Sequence, residues 1–215
     1  MNQNLYTIRF SSKERKMKQK IWKVLCESFF QRFIDNRNVV LDLGCGSGEF
    51  INNIKCKKKF ALDIEKENLK FVNKNVKIFC QSCTNLSKIS DNFFNVVFVS
   101  NLFEHLISKK DVEKTLKEIF RVLKMNGKLL ILQPNIKYAY KEYWDFFDHN
   151  LPFSHLSMCE IIQKVGFNII LVMPRFLPYT TKNIIPKNVF LIKLYLNLRL
   201  LQKIFGKQMF IVAEK

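Results

Sequence analysis

A glycine-rich turn between two acids is the feature of this 215-residue sequence that bears most directly on chemistry. The turn Gly44-Cys45-Gly46-Ser47-Gly48 follows the apolar run 39–43, which contains Asp42. Glycines let a backbone turn sharply and approach a ligand that side chains would exclude. Asp63 ends the next apolar run, 59–63. Two acids beside an open backbone favour a ligand that carries a positive charge and hydroxyl groups.

The spacing of the glycines separates two kinds of nucleotide-derived ligand. Dinucleotide-binding turns follow the pattern GxGxxG, and Glu49 stands here at the place of the third glycine. Asp42 would also lie close to a pyrophosphate, whereas it suits a sulfonium with a free amino group. Asp63 is placed to accept hydrogen bonds from two ribose hydroxyls. We further expect a helix that begins near Gly48 to point its free N–H groups at the ligand.

An alternation of helical and strand-like segments predicts the scaffold that holds this turn. Helical spacing of apolar residues, with Asp111 and Ser154 as N-caps, occurs at 13–34, 65–72, 111–123, 154–165 and 187–205. Apolar or β-branched runs typical of strands occur at 39–43, 59–63, 76–79, 94–100, 128–133, 167–173 and 208–213. This alternation predicts an α/β fold with a doubly wound, mostly parallel, seven-stranded sheet and helices on both faces.

Composition restricts the class of protein further. The 36 basic and 18 acidic residues give a net charge of +18, which fits nucleic acid, anionic lipid or an acidic substrate as partner. The lysine-rich composition that an AT-rich coding sequence produces is the alternative explanation. No apolar run reaches the roughly 18 residues that span a membrane, and the first residues do not resemble a secretory signal. We therefore predict a cytoplasmic protein whose six cysteines are reduced.

The order of the motifs resembles that of the class I S-adenosylmethionine-dependent methyltransferases. VLDLGCGSG (40–48) is similar to the first motif of that family, and LDI (62–64) to its acidic second-strand motif. FNVV and NLFEHL within 94–106 resemble the fourth-strand motif, and LKEIFRVLKMNGKL (116–129) resembles the helix, turn and strand that follow. The resemblance covers about residues 37–135. It implies a Rossmann-like fold, methyl transfer as the activity and S-adenosylmethionine as the cofactor.

The resemblance also implies a set of cofactor-binding residues. The start of the glycine turn would line the methionine part, Asp63 would bind the ribose, and Ile64 would flank the adenine. Ser82 stands where many members carry an Asp that reads the adenine amino group, so the adenine contacts would rest on Ser82 and the backbone of Cys83. The complete predicted set is Asp42, Gly44, Cys45, Gly46, Gly48, Asp63, Ile64, Ser82, Cys83 and Asn101.

Histidines are the candidate general bases that would act on the methyl acceptor. If the acceptor is a hydroxyl, a general base assists the transfer, and His is the usual choice. His105 follows the fourth strand, and His149 lies in the long aromatic and acidic segment 143–155. We predict His149, His105 and Asp148 as the catalytic group, with Asp148 or Asp145 as the partner of His149. A structural role for His149 in holding this segment is the alternative.

The resemblance bears on metal and acceptor as well. Some relatives with ExxEH after the fourth strand bind a divalent metal, but Asn101 replaces the first acid here, so no metal is predicted. The segments 143–155 and 174–180 resemble a bacterial subgroup linked to glycan and cell-surface assembly. The predicted reaction is therefore O-methylation of a small molecule or glycan. Methylation of RNA or protein, and cofactor binding without turnover, are the alternatives, with nucleic acid not favoured.

We expect one domain over residues 1–215, with four parts. A helical cap (1–36) precedes the cofactor-binding core (37–135), and substrate loops with a lid (136–186) precede the C-terminal helix and last strand (187–215). The C-terminal helix is apolar nearly all round and carries Lys193 and Arg199. It is interpreted as a core or dimer-packing element or, alternatively, as a helix that contacts a membrane surface. The oligomeric state stays open.

Overall fold

A computed structural model of the chain describes residues 12–179 and 189–215. Residues 1–11 of the predicted cap and 180–188 of the predicted lid and last helix lie outside the described residues. Within the described ranges, one sheet contains the strands β1 (Val39–Leu43), β2 (Lys58–Asp63), β3 (Val76–Cys80), β4 (Phe94–Ser100), β5 (Leu123–Pro134), β6 (Asn168–Leu177) and β7 (Gln208–Glu214).

The sheet has the strand order β3-β2-β1-β4-β5-β7-β6. β1 to β5 pair in parallel, and β7 runs antiparallel to both of its neighbours, β5 and β6. β1 and β4 are buried along almost their whole length, which is typical of parallel strands that are covered on both faces. The α/β fold with a mostly parallel, seven-stranded sheet is thus confirmed.

Helices cover the two faces of the sheet. They are α1 (Ser12–Ser28), α2 (Lys66–Leu69), α3 (Lys109–Val122), α4 (Ile136–Ala139), α5 (His155–Val165), α6 (Val189–Asn197) and α7 (Arg199–Phe205), with short 3-10 helices at Phe30–Phe33, Phe103–His105 and Tyr143–Asp145. One core joins α1 and α6 to the sheet through stacked and edge-on aromatic rings, including Trp22, Phe30 and Phe98. The other joins α3 and α5 to the opposite face. No helix among the described residues is both long and apolar enough to cross a bilayer.

The helix that was predicted to begin near Gly48 does not form, and that prediction is wrong. Residues 44–53 instead make successive turns. Gly48 has a φ of 74°, so a right-handed helix could begin only after it. Beyond it, the bonds from Asn52 to Gly48 and from Ile54 to Phe50 are of the helical kind, but the N–H of Asn53 bonds Phe50, three residues back, and no helix forms. The chain must also reach β2 at Lys58 within a few residues of the turn.

Other helix ends differ from the predictions for local reasons. Ser108, and not Asp111, is the N-cap of α3, because Ser108 and Asp111 bond each other's backbone N–H groups in a capping box. α1 ends at Ser28, since Phe29 leaves the helix and its ring packs 4.3 Å from that of Phe176. The predicted last helix is broken at Leu198, where the Asn197 side chain bonds a helix carbonyl. Ser154 caps α5 and Gly166 ends it, as predicted.

The topology fixes the place of the site. The strand order reverses between β1 and β4, so a crevice opens outside their carboxyl ends. Gly44 follows β1, Asp63 ends β2, and Asn101 follows β4. The predicted cofactor residues therefore meet at one edge of the sheet.

Candidate active site

Backbone hydrogen bonds fasten the glycine turn to the end of β2. The N–H groups of Gly44 and Cys45 both donate to the carbonyl of Leu62, at 2.8 and 3.0 Å. The N–H of Gly46 donates to Oδ2 of Asp63 at 2.8 Å. Positive φ angles at the glycines are what allow three consecutive N–H groups to turn toward β2. The second strand thus determines the shape of the turn that follows the first.

Asp63 has a double role in this geometry. Its Oδ2 accepts the N–H of Gly46 and its Oδ1 accepts the N–H of Glu65 at 2.9 Å, so the carboxylate is held in one orientation. A carboxylate offers about four lone-pair positions, and the two that remain could accept the two ribose hydroxyls. The sequence predicted the ribose contact but not the anchoring of the turn.

Three buried acids lie beside the turn. They are Asp42, Glu49 and Asp63. Burial raises the pKa of Asp42 well above its usual range, and the charges of Glu49 and Asp63 raise it further. Burial and the same three acids also raise the pKa of the Cys45 thiol, so this cysteine stays protonated. Burial thus favours the protonated form of Asp42, and a positively charged ligand beside the turn would favour its carboxylate form.

Glu49 links the turn to the N-terminal helix α1. In the sequence analysis, this residue served only as an argument against a dinucleotide-binding turn. Nζ of Lys18 in α1 lies 2.9 Å from Oε1 of Glu49, and both side chains are largely buried. The sequence shows only an acid at the position of the third glycine, which does not identify Lys18 as the partner of that acid.

The remaining predicted cofactor residues lie around the ends of β2, β3 and β4. Ile64 is 67% exposed beside Asp63, as a side chain that packs on a bound ring must be. The N–H of Gln81 donates to the carbonyl of Asp63, which places the loop with Ser82 and Cys83 next to the ribose acid. The side chain of Cys83 is buried, and Ser82 bonds Thr84 at 2.9 Å. Asn101 has a φ of 49°, which turns the chain sharply after β4.

Gly44 brings the turn against the loop after β4. A Cβ at this position would lie 2.9 Å from Cδ1 of Leu102, in a backbone conformation that L residues rarely adopt. Gly46 has the same left-handed conformation, but a Cβ there would meet only Oε2 of Glu49, at 3.9 Å.

We therefore expect Gly44→Ala to destabilise the protein more than Gly46→Ala. Both variants carry a left-handed penalty of about 1–2 kcal/mol, and only Gly44→Ala also displaces Leu102. Urea unfolding without cofactor measures the difference. Equal losses of stability would contradict the close approach of the two loops.

A second group of side chains lies just after β4. Glu104 and His105 belong to a 3-10 helix, and the segment 148–151 docks onto it. The carbonyl of Glu104 accepts the N–H groups of Asn150 and Leu151, at 2.8 and 3.2 Å, and the Asn150 amide donates to the carbonyl of His105. The Tyr143 hydroxyl donates to the carbonyl of Leu151 at 2.6 Å. This part of the predicted lid is fixed to the sheet edge by its backbone.

The docking brings the predicted catalytic residues together. Nδ1 of His105 lies 3.0 Å from the carbonyl oxygen of Asp148 and 3.4 Å from its carboxylate. The rings of His105 and His149 are 5.0 Å apart. The structure places Asp148 against His105, and the predicted pairing of Asp148 with His149 stays a prediction. Asp145, the other predicted partner, is exposed.

His149 is buried among aromatic rings. Tyr143 and Phe146 lie 4.7 and 5.0 Å from its ring, and the Tyr179 hydroxyl is 3.4 Å from its Nδ1. His155 takes no part in this group: it begins α5, and its Nδ1 is 3.0 Å from the amide nitrogen of Asn135.

Glu104 is the site residue that the predicted set lacks. It is 1% exposed, and neither carboxylate oxygen has a hydrogen-bond partner in another described residue. Burial raises the pKa of this carboxyl to about 7, against the opposing effect of His105. One ligand atom each of Glu104, His105 and His149 lies within 4.8 Å of the others, so the group could hold a metal ion. The sequence analysis predicted no metal for this protein, and that statement stays a prediction.

The raised pKa of Glu104 makes a pH dependence of stability testable. Between its ordinary value of 4.5 and about 7, the folded protein keeps a proton that the unfolded chain has lost, so stability falls as pH rises. Glu104→Gln should therefore gain on the order of 3 kcal/mol relative to the wild type across this window. Asp42 also has a raised pKa, but it is present in both the wild type and Glu104→Gln, so its contribution cancels in the difference between their unfolding free energies. Parallel curves of unfolding free energy against pH would contradict the raised pKa.

The doubly wound sheet and the glycine turn at its switch point agree with the predicted resemblance to the class I S-adenosylmethionine-dependent methyltransferases. Residues 41–131 match the family model described as a methyltransferase domain. The predicted family and the predicted cofactor are thereby confirmed.

Two curated relatives match about half of the chain. An uncharacterized protein of Methanocaldococcus jannaschii is 36% identical over 104 residues, which cover 48% of this chain and 44% of that protein. The ubiquinone/menaquinone biosynthesis C-methyltransferase UbiE of Wigglesworthia glossinidia brevipalpis is 32% identical over 130 residues, which cover 53% of this chain and 49% of that protein. The chain thus spans about half the length of these relatives.

The fold is shared over the whole chain with solved structures. The crystal structure of an S-adenosylmethionine-dependent methyltransferase from Archaeoglobus fulgidus has a TM-score of 0.72 and 19% identity, and it covers 99% of this chain and 100% of that one. At 19% identity this similarity shows the fold alone. It includes β6 and β7, which lie beyond the residues that match the domain model.

Proposed function

We propose that this chain is a methyltransferase that methylates an oxygen atom of a small-molecule or glycan acceptor beside Glu104, His105 and His149. The observation that carries the proposal is the group formed by the buried carboxyl of Glu104, the buried imidazole of His149 and the half-buried imidazole of His105, after the strand next to the glycine turn. A Cβ on Gly44 would lie 2.9 Å from Cδ1 of Leu102, only two residues before Glu104, which supports a common crevice for the cofactor and the acceptor. A cytoplasmic location stays a prediction.

The residues of the turn fit S-adenosylmethionine. Three buried acids suit its positive charges, glycines leave the backbone open, and Asp63 keeps lone pairs for two hydroxyls. When bound, the cofactor supplies a methyl group on a sulfonium whose sulfur retains the electron pair of the broken bond.

The side chains after β4 would serve the acceptor. An imidazole of His149 or His105 accepts the proton of the acceptor hydroxyl while the oxygen forms its new bond to carbon. The carbonyl and carboxylate of Asp148 orient the ring of His105. Burial of Glu104 and His149 excludes water from the reacting oxygen.

The aromatic rings around His149 support an acceptor with a ring. Phe146 and Tyr179 lie beside the imidazole and are only half-buried, and flat faces of this kind pack against aromatic rings or the apolar faces of sugars. Because one relative is named a C-methyltransferase, carbon methylation is the second candidate.

The test uses cofactor with a labelled methyl group and a fractionated lysate. The expected result is label in the small-molecule or glycan fraction, as a methyl ether in the isolated product. Label bonded to carbon would establish the second candidate, and label in RNA or protein would overturn the proposed acceptor class. Binding of cofactor by calorimetry without transfer to any fraction would indicate a protein that binds cofactor without turnover.

A further inference from the structure

The last two helices expose a large apolar surface. We name this region, residues 189–205, the α6–α7 surface. Phe190 and Leu200 are each 69% exposed. The exposed large apolar side chains of this surface are Val189, Phe190, Leu191, Leu194, Leu198, Leu200, Ile204 and Phe205. A patch of this kind on a folded protein usually marks an interaction site.

The charges on this surface have one sign. Lys193, Arg199 and Lys203 are exposed between the apolar side chains. The sequence of residues 189–205 contains no Asp and no Glu. A partner that covers this region must therefore be apolar where the leucines lie and negative around them.

The two helices are fixed in place by their inner sides. Ile192 and Leu196 are buried in the core, and the Tyr195 hydroxyl donates to the carbonyl of Phe176 at 2.7 Å. The amide of the buried Gln202 donates to the carbonyl of Leu196 at 2.9 Å, which ties α7 to α6. The outward apolar side chains are thus held on the surface of a folded element.

We propose that the α6–α7 surface docks on an anionic lipid bilayer. Helices of 9 and 7 residues are far too short to cross one. An interfacial helix instead inserts apolar side chains at the boundary between headgroups and acyl chains, while lysines and arginines contact anionic headgroups. The +18 net charge of the chain adds long-range attraction to the same surface.

The docking surface lies close to the proposed acceptor site. An apolar groove between α1 and the α6–α7 surface is lined by Leu177 and Pro178. The next residue, Tyr179, lies against His149. A membrane-bound acceptor would enter from this side, a step that rests on the proposed function, whereas the docking itself does not.

The test is flotation with vesicles of phosphatidylcholine, with and without phosphatidylglycerol. The wild type should bind the anionic vesicles and be released by salt. Leu200→Ser with Ile204→Ser, one helical turn apart on α7, should weaken this binding at least tenfold. The control is Ile107→Ser with Ile170→Ser, which removes two exposed isoleucines elsewhere and should change binding less than twofold.

A second pair of variants tests the charges. Lys193→Glu with Lys203→Glu should also weaken binding by at least about tenfold, since each basic residue near an anionic surface contributes about 1 kcal/mol. Lys57→Glu with Lys88→Glu makes the same change in net charge at exposed positions away from this surface and should have a much smaller effect. Circular dichroism checks that all variants fold.

Three results would overturn the proposal. They are a wild type that does not bind anionic vesicles at low salt, equal effects of test and control pairs, and a dimer that the apolar pair dissociates while vesicle binding is unchanged. The last result would make the surface an interface between copies of the chain. None of these readouts involves methyl transfer, so the proposed function can fail or succeed independently.

Discussion

Asp63→Ala should weaken the binding of S-adenosylmethionine by about 1–3 kcal/mol, because two hydrogen bonds to ribose hydroxyls are lost. The structure adds a second reason for a loss. The carboxylate also accepts the N–H groups of Gly46 and Glu65, so its removal releases the glycine turn from β2. Isothermal titration calorimetry with the cofactor measures the affinity, and urea unfolding without cofactor measures the effect on the turn.

Asp63→Asn separates the two contributions. It keeps one oxygen and the shape of the side chain but replaces the other oxygen with a donor, so one of the two backbone bonds is lost. We expect an intermediate affinity and an intermediate stability. If Asp63→Ala leaves the cofactor affinity unchanged while the protein stays folded, the ribose does not bind here.

His149→Ala should reduce turnover by about 100- to 10,000-fold, the range in which general acid–base groups contribute. The cofactor affinity should change little, because the side chain of His149 lies beside Glu104 and His105, which follow β4, and not in the glycine turn. Single-turnover kinetics with labelled cofactor and calorimetry measure the two quantities. His155→Ala is the matched control, since it removes an imidazole that bonds Asn135 outside this group.

His149→Phe distinguishes chemistry from packing. The ring of His149 packs against Tyr143 and Phe146, so alanine also leaves a cavity. Phenylalanine fills most of that space without a nitrogen. Turnover that is restored by His149→Phe would mean that the residue only holds the segment 143–155 in place.

The sheet could be predicted from the sequence because each strand contains a short run rich in apolar residues, such as VVLDL in β1 and FNVVFVS in β4. The residues at the carboxyl ends of these runs, such as Asp63, could be placed together for the same reason. The turn after β1 could not be predicted in detail. Apolar residues such as Phe50 and Ile54 have helical spacing, but only isolated helix-type bonds form there, from Asn52 to Gly48 and from Ile54 to Phe50, and residues 49–53 remain turns.

Contacts between residues far apart in the sequence explain why Glu104 is missing from the predicted catalytic residues. Glu104 is buried because the segment 148–151 folds over it, a contact across more than forty residues that no local pattern reports. The same contact brings Asp148 to His105, although it stands beside His149 in the sequence. Propensities describe neighbours in the chain, whereas the ionisation of a carboxyl depends on neighbours in space.

The position of β7 has a consequence for how the chain reaches its native state. β6 touches the rest of the sheet through β7, which fills the gap beside β5. Until residues 208–214 are in place, β5 and β6 each present an open edge that invites pairing with other chains. Such distant pairing is slow to form. We therefore expect β5 to remain open to pairing with other chains until β7 is inserted, after which only β3 and β6 are edge strands of the sheet that the described residues form.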